Sequence, residues 1–410
     1  MAMPLADASA AEPALLRQRG SNHVGLRQFN ERVVLQALRT HGSLAKAEIA
    51  RVTGLTAQAI GLIAARLDDE QLLRREAPVR GRVGQPSVPI GLNPDGAFAV
   101  GIKIGRRSAD WLLVDFSGQV RARIRLDYAF PDIDQLLPAI GRHLNQLLDG
   151  LGPLRARVVG VGLAAPLKLG GWHRMLGLSA AQSQAWNSID LTGQVQQMTG
   201  LPVRFAKDTA AACVAELLQG RGRDIPSFLY LFMDTFVGGA LVLDSHLHRG
   251  LHGNAGAVAS LPLAVAQPDS AAAPEQLIRQ ASLWELEQRL REQGLDPMAA
   301  YDERVLQAPW AAHSRAWIAS AASALAHCIV SATAFLDLDA VVIDAATTAD
   351  LLQALAERVR ALLHAYNWEG LHPPPPLALG SIGSDARALG GALLPLHACF
   401  APDTDIFLKT

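Results

Sequence analysis

The chain has 410 residues, half of them hydrophobic and 18% charged, with a formal net charge of −1. That composition excludes a disordered or fibrous protein, and at roughly 150 residues per domain the length predicts two or three domains. Three cysteines (Cys213, Cys328, Cys399) stand far apart without a CxxC pair; this excludes a disulfide framework or cysteine zinc site and predicts a reducing, cytoplasmic setting.

The first twenty residues mix Ala, Pro and Ser with Arg17 and Arg19, and are expected to form a loose tail. They lack the apolar core of a secretory signal, and no later run reaches the ~18 uninterrupted apolar residues of a membrane span. Residues 1–95 hold 12 Lys and Arg against 9 Asp and Glu, and the remainder 25 against 29. That excess suits phosphate contact, although DNA affinity follows where charges sit rather than their sum.

Three helical patterns come next. In Glu31–Arg39, Val34, Leu35 and Leu38 share one face, and His41-Gly42 ends the run. Ser43 is the expected N-cap of a helix from Leu44 to Val52, with Leu44, Ala47, Ile49 and Ala50 as its apolar face. Thr53-Gly54 makes the turn. A third helix opens at Thr56, where Ile60, Ile63, Ala64 and Leu67 take the spacing of a buried stripe. Two helices joined by a short Gly-containing turn form the helix-turn-helix pattern. Gly61 costs ~1 kcal/mol relative to Ala inside a helix, and is read as tolerated rather than as a point of close approach to DNA.

Beyond Leu72-Leu73, the stretch Arg80-Gly-Arg82-Val-Gly84-Gln85-Pro86 reads as a basic hairpin wing. In such a module the third helix enters the major groove by its N-terminal end. Thr56, Ala57 and Gln58 are then nearest the bases, and a Gln amide pairs bidentately with adenine. Arg80 and Arg82 reach phosphates or a minor-groove edge, with Gln85 beside them on the same wing. A trihelical unit alone also serves as a protein-interaction module; the wing at this distance favours double-stranded DNA.

From Leu92-Asn-Pro-Asp-Gly96 the pattern changes to strands. Ala97–Gly105, Ala109–Asp115 and Gln119–Leu126 read as three successive strands, followed by a helix over about 132–148 and the apolar strand Val158–Leu163. This order opens an actin-like nucleotide-binding lobe. Farther on, Ser227–Met233 and Ala240–Leu243 are strands hinged at Gly238-Gly239. Helices near 273–292 and 308–335 precede the strand Val341–Asp344.

Here the sequence resembles the ROK family (repressors, open reading frames and sugar kinases) over nearly all of the chain after residue 20. The resemblance rests on the helix-turn-helix, on Gly84-Gln85-Pro86-Ser87 leading into Leu92–Gly96, and on Leu201-Pro-Val followed by Asp208. It rests also on Ala215–Gly220, Gly238-Gly239, Gly253-Asn-Ala-Gly256 and Gly383-Ser-Asp-Ala-Arg-Ala-Leu-Gly390. It implies an α/β chain with an actin-like, two-lobed sugar-kinase fold behind a winged helix-turn-helix. The expected domains are the tail 1–20, the DNA-binding domain 21–95, a first lobe 96–215 to which 385–410 returns, and a second lobe 216–384 that dimerises and lines a ligand cleft.

Several kinase features of the family are altered. The Asp-x-Gly phosphate loop matches Lys103-Ile104-Gly105-Arg106, and a lysine does not replace a carboxylate that manages magnesium and water. The Gly-rich second loop matches Asp234-Thr235-Phe236-Val237-Gly238-Gly239-Ala240, where side chains oppose close approach of phosphates. The adenosine Gly-Gly pair lies at Asp344-Ala345-Ala346. The Gly-Glu-x-Gly-His motif with its zinc cysteines is replaced by Gly256-Ala257-Val258-Ala259-Ser260, and His246, His248 and His252 read as a solvated turn. Asp208 matches the kinase general base, here preceded by Lys207, which is expected to pair with it and depress its pKa; an equal reading is that Asp208 caps the following helix. Lys207, Asp208 and Asn254, with Trp186 as a further candidate, would bind a polyol. The implied protein is a repressor of carbohydrate-related genes, a homodimer or higher oligomer without kinase activity, cofactor, metal or membrane contact. The alternatives are a sugar kinase and a regulator without a ligand.

Overall fold

The computed structural model describes residues 23–78, 88–167, 179–264 and 274–402, and the chain divides into two units. Residues 1–97 group with 396–410, and residues 98–395 form the second unit.

The first unit is built from α1 (His23–His41), α2 (Lys46–Thr53), α3 (Ala57–Asp69), and strands β1 (Leu73–Arg75) and β2 (Ile90–Leu92), which pair antiparallel. Val34, Leu35, Leu38, Ile49, Ile60, Ile63 and Leu67 are buried, so the apolar periods of the three helices meet in one small core. α1 starts well before Glu31. Its first turns leave Val24 and Leu26 exposed, so no buried period announces them. Gly54 ends α2 at φ 70°, the left-handed cap that glycine adopts without strain. Thr56 caps α3, its Oγ1 accepting from the Ala59 N–H at 3.2 Å.

The expected Ser43 cap is not formed. Ala45 occupies the N-cap of α2, and its N–H donates to the Glu48 carboxylate at 2.8 Å. Leu44 instead pairs with Ile90 through two backbone bonds of 3.0 and 2.9 Å, and the Ser43 hydroxyl donates to Glu76. The residues between α1 and α2 therefore add a third strand-like rung to the wing sheet, which competes successfully with helix extension. The end of the chain also belongs here: Arg32 of α1 donates to the carbonyls of Ala398 and Ala401.

The second unit carries two five-stranded sheets of one topology. The first has order β5-β4-β3-β6-β7, from β3 (Phe98–Ile104), β4 (Ser108–Asp115), β5 (Val120–Asp127), β6 (Val158–Ala165) and β7 (Val203–Lys207). The second has order β10-β9-β8-β11-β12, from β8 (Phe228–Met233), β9 (Gly238–Leu243), β10 (His246–His248), β11 (Ala340–Ala345) and β12 (Leu377–Leu379). In each, an antiparallel meander is extended on its other side by two parallel strands. The central strands β3 and β8 are buried at every residue and read as continuous apolar runs, whereas edge strand β5 alternates.

Helices supply the layers: α4 (Ile133–Asp149), α5 (Ala180–Ser188), α6 (Leu191–Thr199), α7 (Asp208–Gln219), α8 (Leu277–Ala281), α9 (Leu283–Glu292), α10 (Ala311–Phe335), α11 (Ala349–Ala365) and α12 (Ala386–Phe400). α10 has the length and hydropathy of a membrane span, but half of its most apolar window is buried inside the protein. It is the central helix of the second core, where Trp317, Ala321, Leu325 and Ile329 pack with Leu277, Leu286 and Leu355. The helix expected near 273–292 is broken at the buried Ser282, whose Oγ donates to Ile278 O at 2.6 Å and accepts from Val237 N at 3.0 Å. Of the histidines expected on a turn, His252 lies on an exposed turn, whereas His246 and His248 belong to β10, on its exposed face. Trp186, a candidate for ligand contact, is a core residue of the first sheet and donates its indole N–H to Pro131 O at 2.6 Å.

Candidate functional site

Helix α3 presents a compact exposed face. Thr56, Ala57 and Gln58 are all exposed at the N-terminal end of α3, and Gly61 and Leu62 continue that face one turn on, with Leu62 62% exposed. A Cβ on Gly61 would meet nothing within 4 Å, so no packing within the chain requires glycine there. Arg80, Arg82 and Gln85 lie outside the described residues. At the base of the wing, Arg75 pairs with Asp68 at 2.7 Å and Arg74 with Glu76 at 2.9 Å.

In the second unit, Lys207, Asp208 and Asn254 line one cavity of about 560 Å³, together with Arg106, Phe236 and Ser260. β7 delivers Lys207 at its end and α7 begins at Asp208, so the pair sits at a strand-to-helix junction. The Asp208 carboxylate accepts the Thr209 N–H at 2.8 Å, one of the donors a helix start leaves unpaired, although the N-cap position itself is Lys207. The expected Lys207–Asp208 ion pair does not form among the described residues; the Lys207 ammonium meets Asn254 Oδ1 at 3.5 Å. Burial lowers the Lys207 pKa, and the charge of Asp208 only partly opposes this. Gly238 and Gly239 serve packing: a Cβ on Gly238 would lie 2.6 Å from Thr209 Cγ2, and one on Gly239 2.8 Å from Tyr230 O. Thr209 Oγ1 in turn donates to Gly239 O at 3.0 Å.

A second cavity, of about 630 Å³, is lined by Lys103, Arg107, Asp234, Tyr301 and Arg387, and Arg106 borders both. Arg387, at the start of α12, forms a buried ion pair with Asp234 in the loop after β8. Burial alone would raise the Asp234 pKa, but Arg387 and then Lys103 outweigh it and hold the carboxyl below its usual range. Lys103 is 6% exposed and bonds Ser108 at 2.7 Å and Asp110 at 3.0 Å; burial and the charge of Arg387 nevertheless lower its pKa. Arg107 bonds the fully buried Glu287, which also accepts from Tyr301 at 2.8 Å and Arg291 at 2.7 Å. The Arg106 guanidinium lies 4.7 Å from the centre of the Phe236 ring. The turn after β3 is thereby tied to the second sheet and α9 by charge and cation–π contacts.

The model of the ROK family matches residues 99–397. The chain belongs to the ROK family. An uncharacterized protein of Sinorhizobium fredii is 25% identical to it over 377 residues, 91% of this chain and 92% of that protein. The xylose repressor of Bacillus subtilis is 20% identical over 235 residues, 56% of this chain and 59% of the repressor, so this chain spans little more than half of that relative. Among solved structures, a ROK family transcriptional regulator, a homologue of the E. coli MLC protein, matches with a TM-score of 0.68 and 18% identity. The match covers 94% of this chain and 98% of that one. A ROK glucokinase of Streptomyces griseus, in complex with glucose and AMPPNP, matches with a TM-score of 0.57 and 20% identity over 73% of this chain and 99% of its own. At these identities the structural matches show the fold, an actin-like two-lobed architecture.

In this ROK chain two buried carboxylates organise the segment around Gly380–Gly383. Glu216 accepts from the backbone N–H groups of Ser381, Ile382 and Arg221, and Asp344 accepts from Ala345, Gly383 and the Tyr230 hydroxyl. A Cβ on Gly380 would fall 2.5 Å from the Asp344 side chain, so the loop approaches the carboxylate directly. Burial first, and the charge of Glu216, push the Asp344 pKa up to about 6. The folded chain therefore binds a proton that the unfolded chain has already released, and stability falls as pH rises from about 4 through about 6. Asp344→Asn should remove roughly 2–3 kcal/mol of this pH dependence. Denaturant titrations at pH 4.5 and 7.5 check it: the variant should gain on the parent at the higher pH, and equal differences at both would contradict the assignment.

Sequence reasoning singled out Asp234 but not its partner Arg387, nor Glu287. Arg387 stands inside the quoted closing motif; its role required knowing that α12 returns to the cleft. Glu287 occupies an ordinary helical position whose burial no local pattern reveals.

Proposed function

We propose that this chain is a DNA-binding transcriptional regulator, a repressor of carbohydrate-related genes that does not phosphorylate sugars. The observation that carries this reading is the exposed face of α3 at Thr56, Ala57 and Gln58, set beside a strand-paired wing and capped at Thr56. The matches to xylose repressors support the class of target. In the body, the positions that a kinase uses for phosphates hold Lys103, Asp234 and Phe236, and Arg387 already neutralises Asp234. A carboxylate and an aromatic ring at that point disfavour a bound triphosphate. The binding unit is a homodimer or higher oligomer reading a two-fold operator, and a sugar-derived effector in the cleft shifts the two reading helices.

A footprint over DNA upstream of the chain's own operon tests this. Specific protection is expected, and Gln58→Ala should weaken it by roughly tenfold to a hundredfold, the value of one bidentate base contact. Binding without sequence preference overturns the reading. The kinase alternative is favoured by one observation, that Asp208 faces the 560 Å³ cavity. It predicts hexose phosphorylation that disappears in Asp208→Asn.

A further inference from the structure

Few long side chains stand on the outer face of α3. Gln58 and Leu62 lie four residues apart, one turn along the same face, and the small residues Ala57, Gly61 and Ala65 flank them. Those small neighbours leave the two longer side chains alone to reach the floor of a groove. Leu62 is 62% exposed, the most exposed large apolar residue among those described in the first unit, where Val24 and Leu26 follow at 44%. An exposed leucine by itself is ordinary, so its setting has to carry the argument. The one basic residue of α3, Arg66, pairs with Glu31 of α1 at 3.2 Å, and the first turn of α3 holds no acidic residue. Lys46 and Arg51 of α2, by contrast, are exposed and form no ion pair among the described residues. The cations of this surface therefore sit beside α3 and not on its outer face.

The chemistry divides accordingly. Cations on the first helix of a helix-turn-helix suit phosphates, which position the protein without reading sequence. The outer face of α3 offers no arginine or lysine, the side chains that pair bidentately with guanine. What remains is an amide, which fits adenine, and an isobutyl group, whose apolar partner on a major-groove edge is the C5-methyl of thymine. We propose that Leu62 is a specificity determinant: it packs on a thymine methyl beside the adenine held by Gln58. α3 then selects A·T pairs by one hydrogen-bonded contact and one apolar contact. Four residues of helix rise about 6 Å and base pairs stack at about 3.4 Å, which puts the methyl within about two base pairs of that adenine. The contact excludes water and moves no charge, so it is separable from the salt-dependent hold on phosphates. The inference rests on the DNA-binding reading and deepens it by naming the bases that are read.

The test uses the full chain and operator duplexes taken from the footprint, in which each thymine in turn is replaced by deoxyuridine, a change that removes only the methyl group. Gln58→Ala first locates the adenine, as the position where it relaxes specificity. At one thymine within about two base pairs of it, uracil should weaken binding by the parent roughly fourfold, the value of one buried methyl. Leu62→Ala should bind the unmodified operator roughly fourfold to tenfold more weakly and lose its sensitivity to that uracil. The methyl is removed from the DNA, so misfolding cannot produce this pattern, and an unchanged melting temperature checks that Leu62→Ala folds, as expected at an exposed position. Equal sensitivity to uracil in the parent and in Leu62→Ala overturns the proposal, because the methyl then acts through DNA shape or another residue. Specific binding to which no thymine methyl contributes overturns it as well. If Leu62→Ala binds every duplex as the parent does, Leu62 faces a protein and not the groove; the proposal fails, while Gln58-dependent operator binding stands. Binding by the parent without sequence preference has the wider meaning and removes the DNA-binding reading itself.

Discussion

Gly162→Ala is expected to destabilise the second unit by roughly 4 kcal/mol or more, enough to lower its melting temperature by about 10 °C or to prevent soluble expression. Gly162 lies in β6 beneath α12. A Cβ there would fall 1.7 Å from the carbonyl oxygen of Gly391 and 2.5 Å from its carbon. Both neighbours are backbone, so no side-chain rotation relieves the overlap; the helix must lift from the sheet. The same helix makes a second close approach, since a Cβ on Gly390 would lie 1.7 Å from Ala211 O. Gly200→Ala is the control. Gly200 has φ 68° and nothing within 4 Å of a new Cβ, so only backbone strain of about 1 kcal/mol is expected. Melting curves for both variants decide the matter: a Gly162→Ala protein melting within about 2 °C of the parent contradicts the packing argument.

Glu216→Ala should cost about 3–5 kcal/mol, because it strands three backbone donors in a buried site. Glu216 is fully buried, and its two oxygens receive Ser381 N at 2.5 Å, Ile382 N at 2.8 Å and Arg221 N at 2.7 Å. These donors come from two distant segments, so the carboxylate joins the end of α7 to the loop before α12. Glu216→Gln keeps one accepting oxygen and turns a donor toward the other N–H; it should fall between the parent and the alanine variant, at roughly 1–3 kcal/mol. The electrostatic link to Asp344 supplies a second readout. With the Glu216 charge gone, Asp344 should titrate below its raised value of about 6. Equal stabilities for the Ala and Gln variants would show that packing rather than hydrogen bonding dominates.

Much of this architecture was legible in local pattern. The period of Ile60, Ile63, Ala64 and Leu67 placed α3, and the buried runs Phe98–Ile104 and Phe228–Met233 placed the two central strands. Such signals are local because burial of one helix face or of a whole central strand repeats at a fixed spacing. The errors arose where a distant partner overrode local preference. Ser43 has the chemistry of an N-cap, yet Leu44 pairs with Ile90, far along the chain, and moves the helix start to Lys46. Trp186 has the chemistry of a sugar platform, yet its indole is buried and satisfied by Pro131 O. The strand β10 went unread because its three residues give too short a run for alternation to register.

The sequence by itself determined the family and the helix-turn-helix, and it singled out Lys103, Asp234 and Phe236, since these depend on residue identity and short-range spacing. Only the tertiary structure decided what those residues do to one another. It put Arg387 on Asp234, Glu287 behind Arg107, and Lys207 on Asn254 instead of Asp208. The reason is physical: a charge is met by whichever opposite charge or polar acceptor the fold brings within hydrogen-bonding reach, and in a buried cleft that proximity outweighs adjacency in the chain.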